Sequence, residues 1–291
     1  MVALAAFLLC AAPAGAADGE PVFPGQVAPG SPNYDLEEMY YQSRLDEGLK
    51  LAKQRLASAP TAQLHWMKAR FMYEIGEGFL RTDTTIDKEA WYSEMLATAN
   101  AGLKLAPGDP HLRFARGIAM GRLGTTRGIL QSLFMADDVE ADWLVVANDK
   151  TFRYASIGGV EALPCDAYHA LGIYYRLVPD WWIVEMVAGT RGDLDQAIAY
   201  NRKSIECKPD EVENWKELGA SQLCKAGNGD AALKAEGLAS LRHALTLPAP
   251  RPRNQLDQKH SKMLIDDPSL ACEYSRDGQQ DLDEKKLQAS Q

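Results

Sequence analysis

Cysteine and histidine are the residues here whose types could support redox, nucleophilic or metal chemistry, and the chain has five of each. Cys10 lies in an apolar N-terminal run, which leaves Cys165, Cys207, Cys224 and Cys272. None of them is spaced as C-x-x-C, so neither dithiol catalysis nor structural zinc follows from them. The histidines are His65, His111, His169, His243 and His260, and no two fall at i, i+3 or i+4. A helical metal site therefore cannot be drawn. No G-x-S-x-G elbow is present to expose a nucleophilic serine. One acidic stretch has calcium-loop spacing: Glu273, Ser275, Asp277, Gly278, Gln279, Asp281 and Glu284 take positions 1, 3, 5, 6, 7, 9 and 12. Hard oxygen ligands around a glycine turn suit Ca²⁺. Glu at position 1 fits the tight loop badly, and Gln280 stands where an apolar anchor belongs. The expectation is a solvated tail, with no metal, no cofactor and no catalytic residue assigned, and the chain reads as a non-enzyme.

The compartment is read from the N-terminus. Residues 2–14 are apolar and uncharged, and they end in Ala14-Gly15-Ala16-Ala17, a small-x-small pattern. The run is shorter than the ~20 residues of a spanning helix, so residues 1–17 read as a secretory signal peptide. The mature chain is expected to be periplasmic or secreted, with no membrane span. A formal charge of −9, from 31 basic and 40 acidic residues, argues against nucleic acid as the main partner.

Residues 18–34 are rich in Pro and Gly and read as a flexible lead. From Asp35 apolar residues recur at helical spacing, and no alternating strand run is apparent. Helices are expected over 36–57, 61–78, 88–105, 109–123, 137–149, 164–177, 181–187, 192–207, 211–225, 230–246 and 254–265. The helical domain spans 35–265. Residues 266–291 carry seven acids and three bases and read as a polar, poorly packed tail.

Repeats organise the helical part. Pro60, Pro107 and Pro209 each follow a helical ending of one type, and Trp66 and Trp215 stand six residues after Pro60 and Pro209. Trp215 leads to Leu218-Gly219, Tyr168 to Leu171-Gly172 and Tyr175, and Gly192-Asp193 opens the segment before Pro209. This pattern resembles the tetratricopeptide repeat, W-x2-L-G-x2-Y followed by G-D-x-x-x-A and a closing Pro. The match is best over 164–248 and looser over 60–123. Residues 176–191 form an insertion, and such an inserted repeat is similar to secreted bacterial relatives of microtubule-dynamics-regulator-type repeat proteins. The resemblance implies an all-α fold, a right-handed α-α superhelix of about four irregular hairpins. Gly117, Gly172 and Gly219 take the small-residue position where a partner helix approaches closely.

Helical geometry favours one cysteine pairing. In an antiparallel helix pair the start of the first helix lies beside the end of the second, which brings Cys165 to Cys207. Cys207 and Cys224 sit at opposite ends of a unit about 20 Å long at ~1.5 Å per residue, beyond disulfide reach. Cys224–Cys272 follows by remainder; the alternative is four buried free thiols.

The superhelix resemblance implies a concave face holding a protein partner in the cell envelope. Its candidate residues are Arg70, Tyr73, Arg113, Arg116 and Tyr175. A second reading starts from the cluster of Tyr168, Tyr174, Tyr175, Trp181 and Trp182. That cluster either packs the inserted turn or lines a groove for a peptide or small apolar ligand, with Tyr174, Trp181 and Trp182 as ligand contacts. In the latter case the chain would serve a solute uptake system. The Arg113, Arg116, Arg122, Arg127 series is expected on the surface, some members pairing with acids between helices. Arg251, Arg253, Lys259 and Lys262 read as a solvated patch.

Overall fold

The computed structural model describes residues 27, 29–78, 86–127, 133–157, 161–180, 185–186 and 188–275. The expected signal peptide, most of the lead, Trp181, Trp182 and the calcium-like positions beyond Ser275 lie outside them.

Among the described residues eleven α-helices follow in order: α1 (Tyr34–Tyr41), α2 (Leu45–Ser58), α3 (Ala62–Gly78), α4 (Lys88–Leu105), α5 (Pro110–Arg127), α6 (Ala136–Asn148), α7 (Cys165–Leu177), α8 (Leu194–Cys207), α9 (Val212–Ala226), α10 (Ala231–Thr246) and α11 (Pro252–Asp266). Each packs on the next, so α3–α4, α5–α6, α7–α8 and α9–α10 form four stacked helical hairpins. The α1–α2 pair precedes them and α11 follows. No helix among the described residues is long and apolar enough to cross a membrane.

Local chemistry sets most boundaries. Asp87, Asp193 and Asp230 cap α4, α8 and α10 by accepting bonds from backbone N–H groups of the first turn, each cap stabilising its helix by about 1 kcal/mol. Two departures from the sequence reading stand out. The helix expected over 36–57 breaks at Ser43, whose φ of +59° leaves the right-handed helical region, and α1 ends there. A two-stranded antiparallel hairpin, β1 (Tyr154–Ala155) with β2 (Glu161–Leu163), precedes α7. Strands of two and three residues are too short to show alternation.

Close helix approach occurs at the expected glycines. A Cβ on Gly117 would meet the Trp143 indole, and one on Gly172 would meet the Asn201 amide. One on Gly219 would lie 2.6 Å from Leu241 Cγ and 2.9 Å from the Gly237 carbonyl oxygen, across the α9–α10 contact. Because a backbone atom is involved, the helices must separate to admit a methyl group. Gly219→Ala is expected to cost about 1–3 kcal/mol, read as a lowered urea midpoint at unchanged m-value; an unchanged midpoint would show that the pair has slack.

The core runs along the stack. Phe71, Met72, Met95, Leu112 and Leu171 are fully buried within one continuous cluster, while Leu223, Leu241, Leu264 and Tyr274 form a second at the C-terminal end. That second cluster corrects the expected tail. A 3₁₀ turn at Pro268–Ala271 folds back on α9 and α11, and Tyr274 has no exposed surface. The chain is thus packed for eight residues beyond α11.

Both expected cysteine pairs stand at disulfide distance. Cα atoms are 5.8 Å apart for Cys165–Cys207 and 4.7 Å for Cys224–Cys272. The first links the start of α7 to the end of α8. The second ties the end of α9 to the residue after the 3₁₀ turn.

Candidate functional site

First helices of neighbouring hairpins touch in two places, α3 with α5 and α7 with α9. Among the described residues α5 and α7 do not pack on each other in that way. Residues of both helices line a half-open cavity of about 650 Å³. Walls come from α3, α5, α7, the start of α6, the β-hairpin and the loop leading into α11.

One end of this cavity is built around Arg70. Its guanidinium lies 3.5 Å from the centroid of the Tyr40 ring, with the Trp66 and Tyr154 rings at 5.5 and 5.4 Å. Arg70 Nη1 donates to Glu37 Oε2 at 2.7 Å, and the Tyr154 hydroxyl donates to Glu37 Oε1 at 2.8 Å. Burial alone would weaken the Arg70 charge; Tyr40, Tyr154 and Glu37 around it reverse that and hold the guanidinium charged. Tyr40 donates to Glu74 at 2.7 Å. Burial, then the nearby Glu74 carboxylate, pushes that hydroxyl well up. Trp66 stacks on His111 at 3.8 Å, which fixes the ring against the cavity wall.

Across the cavity, α11 contributes Arg253. It donates to Glu213 of α9 at 2.7 Å. Burial opposes its charge, but Glu213, Tyr73, Glu74 and Glu77 surround it and raise its pKa overall. Tyr73 is pushed up mainly by burial. The first and last hairpins of the stack therefore face one another through charge, with Arg122 paired to Glu77 at 2.6 Å behind them.

Along α7 the lining changes character. Asp166 and His169 lie near its start, and Lys208 pairs with Asp166 at 2.5 Å. Ala170, Ile173, Tyr174 and Leu177 continue the stripe toward its end. There the apolar wall is completed by Ile118, Leu133, Met135 and Val139. Tyr174 donates to the Ala136 carbonyl at 2.8 Å, and burial raises its hydroxyl pKa.

The candidate partner-binding residues separate into two groups. Arg70 and Tyr73 line the cavity, and so does Tyr174. Arg113 and Arg116 instead grip Asp142, a fully buried carboxylate on α6, at 3.0 and 2.5 Å. Tyr175 is buried, donates to Glu140 and stacks on Tyr200 at 5.8 Å. These three join helices to each other. Arg127 likewise pairs with Glu89 at 2.7 Å, so the arginine series does bridge helices as expected. Sequence reasoning missed Tyr40, Glu37 and the inward turn of Arg253. The Pro248, Pro250 and Pro252 punctuation before α11 was the available signal, since it redirects the chain there.

No protein-family model matches this chain, and no curated protein matches it. Among solved structures it is similar to TTC0263, a thermophilic TPR protein of Thermus thermophilus, at 17% identity and TM-score 0.47. That alignment covers 81% of this chain and 100% of the other. It is also similar to a double mutant of MamA at 14% identity and TM-score 0.42, over 73% of this chain and 91% of that one.

Proposed function

We propose that this chain is a non-catalytic, tetratricopeptide-like scaffold that works outside the cytoplasm and holds a protein partner on its concave face. The observation that carries this reading is the cavity, to which several stacked helices bring preformed aromatic and charged side chains, Arg70 and Tyr73 among them. Recognition there is shape and side-chain complementarity on a rigid wall, with no covalent step. Two cysteine pairs at disulfide distance support an oxidising compartment.

The test is mild crosslinking and capture with the chain from Asp18 onward, read by mass spectrometry. One near-stoichiometric envelope protein is expected. Tyr73→Ala should reduce its recovery about fivefold or more, the effect of losing a contact that contributes ~1 kcal/mol, measured below the variant's own melting temperature. Absence of any reproducible partner overturns the scaffold reading.

A second reading, a small-ligand component of a solute uptake system, is favoured by one observation. A volume near 650 Å³ lies within the range of pockets that enclose small molecules, and much of the wall is apolar.

A further inference from the structure

We infer that the cavity takes a single-chain amphiphile with an anionic head, its tail along the α5–α6–α7 wall and its head at Arg251; this rests on the small-ligand reading above.

The argument begins with what the polar groups leave free. Apart from Arg251, each charged side chain in or just behind the wall already has a protein partner. Arg70 bonds to Glu37, Arg122 to Glu77, Lys208 to Asp166 and Arg253 to Glu213. Glu74 and Glu211 carry no such cation, but accept from the Tyr40 hydroxyl and the Asn254 amide, each at 2.7 Å. A charged group entering the interior would lose water and find no unpaired counter-charge there, so the interior selects an uncharged guest. Among the described residues, Arg251 is the one cavity-lining cation whose side chain has no carboxylate partner. It is exposed, at the N-terminal side of α11, and so stands at the rim.

The wall also has direction. The α7 stripe from Asp166 to Leu177 covers twelve residues, a rise of about 16 Å at ~1.5 Å per step. It is polar at Asp166, which pairs with Lys208, and Glu211 and Asn254 of the same lining bond to each other one helical turn from Arg251; it is apolar at Ile173 and Leu177, on either side of Tyr174, which bonds to the start of α6, and Ile118, Leu133 and Met135 add to the apolar lining. An elongated apolar chain matches the far part. A carboxylate at the near end meets the free guanidinium, which forms bidentate bonds with such a group.

The probes are dodecanoate, dodecanol and dodecyltrimethylammonium below their aggregation limits, followed by calorimetry and by the fluorescence of Trp66 and Trp143, both on the wall. Dodecanoate should bind about three- to fivefold more tightly than dodecanol, the scale of one exposed ion pair, and the cation most weakly. Arg251→Ala should erase the preference for dodecanoate, as should high salt. Ile173→Trp, or Ile118→Trp if that variant fails to fold, should abolish binding of all three. Equal affinity for the three heads, or a preference that survives Arg251→Ala, overturns the head assignment while leaving the cavity reading intact. Failure of all three to bind overturns the inference and the small-ligand reading together. Partner capture with Tyr73→Ala scores the scaffold reading separately. Cosedimentation with phosphatidylglycerol vesicles, without binding of free dodecanoate, would place the acyl source in a membrane and overturn the free-amphiphile form.

Discussion

Replacing Cys165, Cys207, Cys224 and Cys272 by serine is expected to leave a chain that is largely unfolded at 37 °C. The disulfides close loops with sequence separations of 42 and 48. Chain entropy assigns each about 4 kcal/mol, so the two together contribute about 8 kcal/mol. A whole domain has a net stability of only ~5–15 kcal/mol. Position adds to the effect. Cys165–Cys207 locks the α7–α8 hairpin, which carries one wall of the cavity, and Cys224–Cys272 holds the segment that buries Tyr274. Urea unfolding with and without dithiothreitol measures this directly. The reduced protein should unfold at a much lower midpoint, each pair of Cys→Ser changes giving about half the loss. Coincident curves would show that the disulfides are dispensable and would remove one support for an extracytoplasmic location.

Much of this architecture was legible because it is local. The Gly192-Asp193 opening, the proline endings and the glycines at 117, 172 and 219 each act within one helix or one hairpin, and the structure places them where their spacing implied. The cysteine pairing was legible for the same reason, since antiparallel neighbours fix which helix ends meet. What escaped notice depends on distant parts of the chain. Tyr154 reaches Glu37 across 117 residues, and that bond supports Arg70 in the cavity. Arg253 looked like one member of a solvated basic patch, but the α9 carboxylate of Glu213 draws it inward. Tyr175 fitted a surface role by repeat position, yet Glu140 and Tyr200 enclose it. A helix pattern specifies which face is buried, not which neighbour will supply the counter-charge. The break at Ser43 had no Gly or Pro to announce it.

Arg176→Met is expected to destabilise the chain by about 3–5 kcal/mol, the scale for breaking a buried ion pair on one side. Arg176 is buried at the end of α7 and makes contacts that tie together three parts of the C-terminal half. Its Nη2 donates to Glu217 at 2.7 Å, and Nη1 donates to the carbonyls of Tyr274 and Ala271 at 2.6 and 3.1 Å. Lys216, also buried, bridges Glu217 at 3.0 Å and Asp257 of α11 at 2.6 Å. Removing the guanidinium leaves two carbonyls without that donor and Glu217 with a single cation bonded to it. The same group sets an acid limit. Burial pushes the Glu217 carboxyl up, but Lys216, Arg176 and His169 more than reverse this and bring it from 4.5 down to about 2. A carboxyl whose folded pKa is depressed stabilises the fold above its unfolded value and ceases to do so as pH falls through the folded one. Glu217 therefore contributes of the order of 3 kcal/mol at neutral pH, lost between about pH 4.5 and pH 2. In Arg176→Met the carboxyl should titrate higher, so part of that loss should move toward pH 4.5. A double variant, Arg176→Met with Glu217→Met, should recover much of the neutral-pH stability, because apolar packing can replace a buried pair that a single change leaves half-broken. If the double variant is no more stable than Arg176→Met, the cost lies in the two carbonyls that hold Tyr274, and the arginine acts chiefly as a clamp on the C-terminal segment.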